Sequence, residues 1–153
     1  MEKLDPVDMK MLDILQHDGT LTNKALSVML HRSVATIQER RRRLTEQGYI
    51  EKVVAILNRK KIDRSLIAFS HVLLISHSAD TLGAFESEVV KFDEVMECLQ
   101  MTGAYDFILR IAVCDMEAYN IFLREKLAKL PNISTVQSFF VLRAPKSDTA
   151  YPL

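Results

Sequence analysis

The run LIAFSHVLLIS, residues 66–76, is apolar on both of its alternating sides. In a strand, Ile67, Phe69, Leu73 and Ile75 share one face while Leu66, Ala68, Val72 and Leu74 share the other. Such a strand has to be covered from above and below, because large apolar patches are seldom left in water. The downstream chain offers only two covering helices. ADTLGAFESEVVKF places Leu82, Phe85, Val89 and Phe92 on one side, and DMEAYNIFLREKLAKL turns Tyr119, Phe122, Leu123 and Leu130 inward before Pro131. Between them VMECLQMT and DFILRIAV flank the turn GAYD, and STVQSFFVLR supplies the last strand. The order predicts a ferredoxin-like βαββαβ domain over residues 66–153. Its two helices cover one sheet face, so the other is expected to meet a second copy of the chain in a homodimer.

Residues 1–50 read differently, as three short helices. In LDPVDMKMLDILQHDG, Asp5 caps, Pro6 suits the first helical position and Asp8 favours the positive end of the dipole. Val7, Met11, Leu12, Ile14 and Leu15 form its apolar face, and Gly19 ends it. Thr22 caps a second helix with Ala25, Leu26, Met29 and Leu30 inward, stopping near His31 and Arg32. Ser33 caps a third that runs to Gln47, with Gly48 at a left-handed terminus. A short helix, a tight turn and a longer helix outline a helix-turn-helix, winged-helix-like domain. YIEKVVAIL, beginning at Tyr49, then reads as a strand and NRKKIDRS as a basic linker, so residues 51–65 join the two domains. The fold class expected of the whole is α+β.

The third helix carries the charge run RRRR, Arg40 to Arg43. A charge run alone is usually a solvated face. At about 100° per residue, Val34, Ile37 and Leu44 point inward and Arg40 lies on the flank. Arg32, Ala35, Thr36 and Glu39, then Arg42, Arg43 and Glu46, lie outward. Small residues beside capping Ser33, with guanidinium groups further along, are what a helix entering the major groove needs. Double-stranded DNA is therefore the expected partner. Arg41 points about 40° from Ile37, so its stem has to snorkel or its head has to find a carboxylate.

The net charge of zero conceals an asymmetry. Residues 1–64 hold 13 Lys plus Arg against 9 Asp plus Glu, whereas residues 65–153 hold 7 against 11. A basic first module suits an anionic partner. Cys98 and Cys114 lack ligand spacing and read as reduced core residues, with no metal site and no disulfide framework. The chain shows neither a signal-peptide pattern nor an apolar run long enough to span a bilayer, and reads as cytoplasmic with no membrane partner.

Taken together, LDPVDMKMLDILQHDGTLTNKAL, SVATIQERRRRLTEQGYI, GAYDFILRIAVCDMEAYNIFLREKLAKLPNISTVQSFFVL and the ending YPL resemble the leucine-responsive/asparagine-operon (Lrp/AsnC) family of regulators over nearly the whole length. The resemblance implies sequence-specific DNA binding by the first domain and dimers that build into tetramers or octamers. It also implies a small-molecule effector, in many members an amino acid, held between subunits by the second domain, with no cofactor. The family's glycine–any–aromatic–aspartate turn matches Gly103, Ala104, Tyr105 and Asp106, preceded by Thr102. The other implied segment is Thr135, Val136 and Gln137. Open backbone groups at such a turn can hold a carboxylate and an ammonium, and Asp106 can attract a cation; equally, Gly103 makes a β-turn that Asp106 caps. Three positions depart from the family. His31 and Arg32 replace the usual glycine and aliphatic residue of the turn, Arg41 replaces an inward valine, and Ala104 stands where an acid often follows the glycine.

Two rival functions have some basis. An architectural protein can bend DNA and sense nothing. Tetrapyrrole-processing enzymes resemble the same fold family, and His71 and His77 would share a face on a regular strand. No paired nucleophile and base is legible, so no catalytic residue is assigned.

Overall fold

A computed structural model describes residues 4–153. The chain divides into a helical unit that runs to Ile56 and includes the tail Lys146–Leu153, and a sheet unit, Leu57–Pro145.

The helical unit holds α1 (Pro6–His17), α2 (Asn23–Leu30) and α3 (Val34–Glu46), each started by the side chain the sequence offers. Asp5 accepts from the N–H groups of Val7 and Asp8 at 2.8 Å, and Asp8 returns a bond to the Asp5 N–H at 3.3 Å, which closes a capping box. Thr22 and Ser33 cap α2 and α3 through Ala25 and Thr36, each at 3.2 Å. Helix α2 ends in a Schellman arrangement, with the Arg32 N–H on the Ser27 carbonyl at 3.0 Å and His31 left-handed at φ 51°. Gly48, at φ 79°, takes the left-handed position after α3. Met11, Leu15, Leu26, Leu30, Ile37 and Leu44 form the core. Val34 and Met29, read as inward, are exposed and take no part in this core.

Residues 51–58 form no ladder with any of the described residues, so the strand expected there is not made. A strand needs a partner's row of N–H and C=O groups, and none faces this segment within the described residues. Val53, Val54, Ile56 and Leu57 are left exposed. The basic linker closes into a 3₁₀ turn, Arg59–Ile62, capped by Asn58.

The sheet unit runs β1 (Leu66–Leu74), α4 (Ala79–Val89), β2 (Val95–Gln100), β3 (Phe107–Val113), α5 (Met116–Glu125) and β4 (Ile133–Phe140). Its four antiparallel strands lie in the order β2-β3-β1-β4, the ferredoxin-like arrangement the sequence predicts. Ala68, Val72 and Leu74 turn towards α4 and α5 and pack with Phe85, Phe107 and Phe122. Ser70 shares this covered face and meets the Tyr119 hydroxyl at 2.9 Å, so its buried oxygen is satisfied. The opposite face carries Phe69 and His71, beside Ile108, Arg110, Gln137 and Phe139 in register. Phe139 and Leu99 on this face are exposed, whereas Ile67 and Ala112, paired at one end of it, are buried. Cys98 is half-buried on β2, but Cys114 is exposed because it lies past the end of β3. No helix among the described residues is long and apolar enough to cross a membrane.

Candidate DNA-reading helix and effector site

Helix α3 divides its four arginines by the groups each can reach. Arg40 donates to Asp5 at 2.6 Å and to Asp8 at 2.7 Å. Arg43 reaches Asp8 at 2.6 Å. Asp8 is only 1 % exposed. A carboxylate so buried is tolerated because two guanidinium groups and the capping N–H satisfy its oxygens. The sequence reading turned Arg43 outward and put Arg40 on the flank; both heads instead fold back onto α1. An arginine stem spans several ångströms, so its Cβ direction does not fix the direction of its charge. The missed residues are Asp5 and Asp8, and the signal was present: Asp8, Met11 and Leu15 fall on one face of α1 at helical spacing.

Arg41 goes inward, as its angle implies, but finds no carboxylate. It donates to the carbonyls of Leu21 at 2.8 Å and Gly19 at 3.2 Å, and to the Asn23 side chain at 3.4 Å. It thereby satisfies the turn between α1 and α2, whose backbone oxygens have no helical partner. Arg42 alone of the four is exposed, bridged by its neighbours Glu39 and Glu46 at 2.6 Å each. Glu39 is held below the ordinary carboxylate range by its hydrogen bond from Arg42. Arg32, Ser33, Ala35, Thr36 and Glu39 are likewise exposed, so the N-terminal half of α3 presents small and polar side chains to solvent.

In the sheet unit the two implied effector segments meet. The Tyr105 hydroxyl donates to the Gln137 side-chain oxygen, joining the β2–β3 turn to β4. His71 lies against both, with ring centroids 5.1 Å from Tyr105 and 5.0 Å from Phe139. Gly103 is at φ 118°, where a side chain would be strained. Thr102 and Ala104 are exposed beside it, as is Thr135 on β4. Val136 does not join them. Strand alternation sends it to the covered face, where it packs against the core opposite Val72. Asp106 accepts from the Leu74 N–H at 2.7 Å with one oxygen and lies 2.7 Å from His77 Nδ1 with the other. His77 therefore does not share a strand with His71, because β1 ends at Leu74.

A helix-turn-helix with an exposed recognition face, joined to a ferredoxin-like sheet with a polar turn on its open side, defines a two-unit regulator built to read DNA. A winged helix-turn-helix DNA-binding model matches residues 4–51, and the Lrp/AsnC ligand binding domain matches residues 67–151. The chain is 35% identical over 153 residues to the Bkd operon transcriptional regulator of Pseudomonas aeruginosa, with 100% of both chains covered. It is 36% identical over 143 residues to the leucine-responsive regulatory protein of Klebsiella pneumoniae, covering 94% of this chain and 87% of that one. A transcriptional regulator of Neisseria meningitidis, solved in complex with L-Met, superposes with a TM-score of 0.93 at 31% identity, over 98% of this chain and 97% of that one. The chain belongs to the Lrp/AsnC family of DNA-binding transcriptional regulators.

Proposed function

We propose that α3 reads DNA with Ala35 and Glu39 at base edges and Arg32, Ser33 and Thr36 at base edges or adjacent phosphates, and that Arg42 is its main phosphate-binding arginine. Arg42 exchanges Glu39 and Glu46 for phosphate, an exchange that costs little because exposed ion pairs are weak. Arg40 and Arg43 hold the helix in place from behind. The effector is an amino acid, bound at Thr102–Asp106, Thr135 and Gln137 and completed by a second copy of the chain. The observation that carries this reading is the Tyr105–Gln137 bond, which brings both effector segments together on the partly open sheet face. The same face supports a homodimer packed sheet to sheet. The family's regulatory role supports further assembly into tetramers or octamers and a cytoplasmic protein that regulates without catalysing.

The test is a footprint on the DNA upstream of the protein's own gene, with and without L-leucine or L-methionine. The expected result is protection of spaced half-sites one helical turn or a multiple apart, altered by one of the amino acids. Absence of protection at low salt overturns the DNA reading. Protection that neither these nor the other standard amino acids alter favours an architectural protein.

A further inference from the structure

The last eight residues, Lys146–Leu153, belong to the helical unit although the chain reaches them only through β4. What holds them is specific. The Gln16 side chain on α1 donates to the Tyr151 carbonyl at 2.7 Å and accepts from the Tyr151 N–H at 2.8 Å. Its amide is oriented by a further bond to Asp13 at 3.1 Å. Asp148 caps the approach by accepting from the Ala150 N–H at 3.1 Å, so the tail arrives as an Asx turn. Thr149, Tyr151 and Leu153 then form one side of an apolar groove shared with Leu12, Tyr49 and Val53. Tyr151 itself is 77 % exposed, so the fastening lies in the paired backbone hydrogen bonds more than in buried area.

The fastened helix is also the one that holds α3, because α1 carries the Asp5 and Asp8 carboxylates that grip Arg40 and Arg43. At its other end the tail continues from β4, which carries Thr135 and Gln137. We propose that residues 146–153 are a strap: Gln16 is a positioning residue that fastens it to α1, and the fastened state sets DNA affinity. The sheet unit is thereby connected to the DNA-reading unit by two stretches of chain, at Ile56–Leu57 and at Pro145–Lys146. The effect on affinity rests on the DNA-binding reading; the fastening does not.

The experiment uses the full-length chain and three variants: Gln16→Ala, Gln16→Glu and a truncation after Pro145. Hydrogen exchange of the Tyr151 amide reads the fastening, and titration of the footprinted DNA reads its consequence. Gln16→Ala is expected to remove Tyr151 protection and raise the DNA Kd by roughly threefold to tenfold, the range one or two exposed hydrogen bonds command. Gln16→Glu keeps an acceptor for the Tyr151 N–H but has no donor for its carbonyl, so it falls between. Truncation reproduces Gln16→Ala, and combining the two adds nothing, which a general loss of stability would not produce. An unprotected Tyr151 amide in the wild-type chain overturns the strap, as does Gln16→Ala losing protection at unchanged Kd. A wild-type chain that binds no DNA overturns the regulatory reading and the affinity effect together, while the exchange data still judge the fastening.

Discussion

Asp8 is the residue on which the recognition helix depends. It is almost wholly buried and takes charge-assisted bonds from Arg40 and Arg43. Both arginines keep access to water and Arg40 keeps Asp5, so Asp8→Ala costs the charge-assisted bonds without burying a lone charge. It is expected to destabilise the helical unit by about 1–3 kcal/mol. Denaturant melts followed by a probe in α1 would show the loss, with the transition of the sheet unit unmoved. Asp5 responds to pH. The Asp8 N–H bond and the Arg40 guanidinium hold its carboxyl below its ordinary value. A lowered folded value means that its contribution is complete above the unfolded carboxylate range, near about 3.9, and is lost as pH falls through the folded one. Asp5→Asn keeps a capping oxygen without the charge and should flatten the acid limb of stability against pH. The cysteines differ in kind. Burial pushes the Cys98 thiol up to about 11, so at pH 8 an alkylating reagent should label exposed Cys114 well before Cys98.

Among the elements, the turn between α2 and α3 carries local strain. His31 is a non-glycine residue in left-handed backbone, a conformation that disfavours a Cβ. His31→Gly should raise the stability of the helical unit by about 0.5–1 kcal/mol, read as a higher melting temperature. On α3 the four arginines, adjacent in sequence, should give separate phenotypes. Arg42→Ala is expected to weaken DNA binding and reduce the slope of log K against log salt by about one, with folding intact. Arg41→Ala leaves the Gly19 and Leu21 carbonyls without their donor and should lower stability. The caps and most of the inward residues were legible beforehand, Val34 and Met29 excepted, because capping and periodicity are local properties of the chain. The destinations of the arginine heads were not, because they depend on acids more than thirty positions away.

For the whole molecule, the decisive feature is a sheet with one face covered by α4 and α5 and the other partly open, with Phe139 and Leu99 exposed on it. Phe69, His71 and Phe139 lie together there, and β1 alternates between the two environments as its apolar pattern requires. If two copies pack through this face, Phe139→Glu places a charge in that contact. Sedimentation velocity should then report a shift from dimer or larger to monomer, with the fold of each unit retained. An unchanged sedimentation coefficient would mean that another surface joins the copies.

The order of elements, the helix-turn-helix and the ferredoxin-like sheet follow from the chain's own patterning, since caps, helical periodicity and strand alternation act over a few residues at a time. The turn Gly103–Asp106 was legible in the same way. Folding in three dimensions brought Tyr105 to Gln137, Asp106 to His77, and Arg40 and Arg43 to α1. It also left residues 51–58 without a pairing strand among the described residues and returned the tail to Gln16. Each of these depends on which distant group lies within reach of a long or polar side chain, or of a backbone N–H. That is a property of the packed molecule, and no local pattern in the chain encodes it.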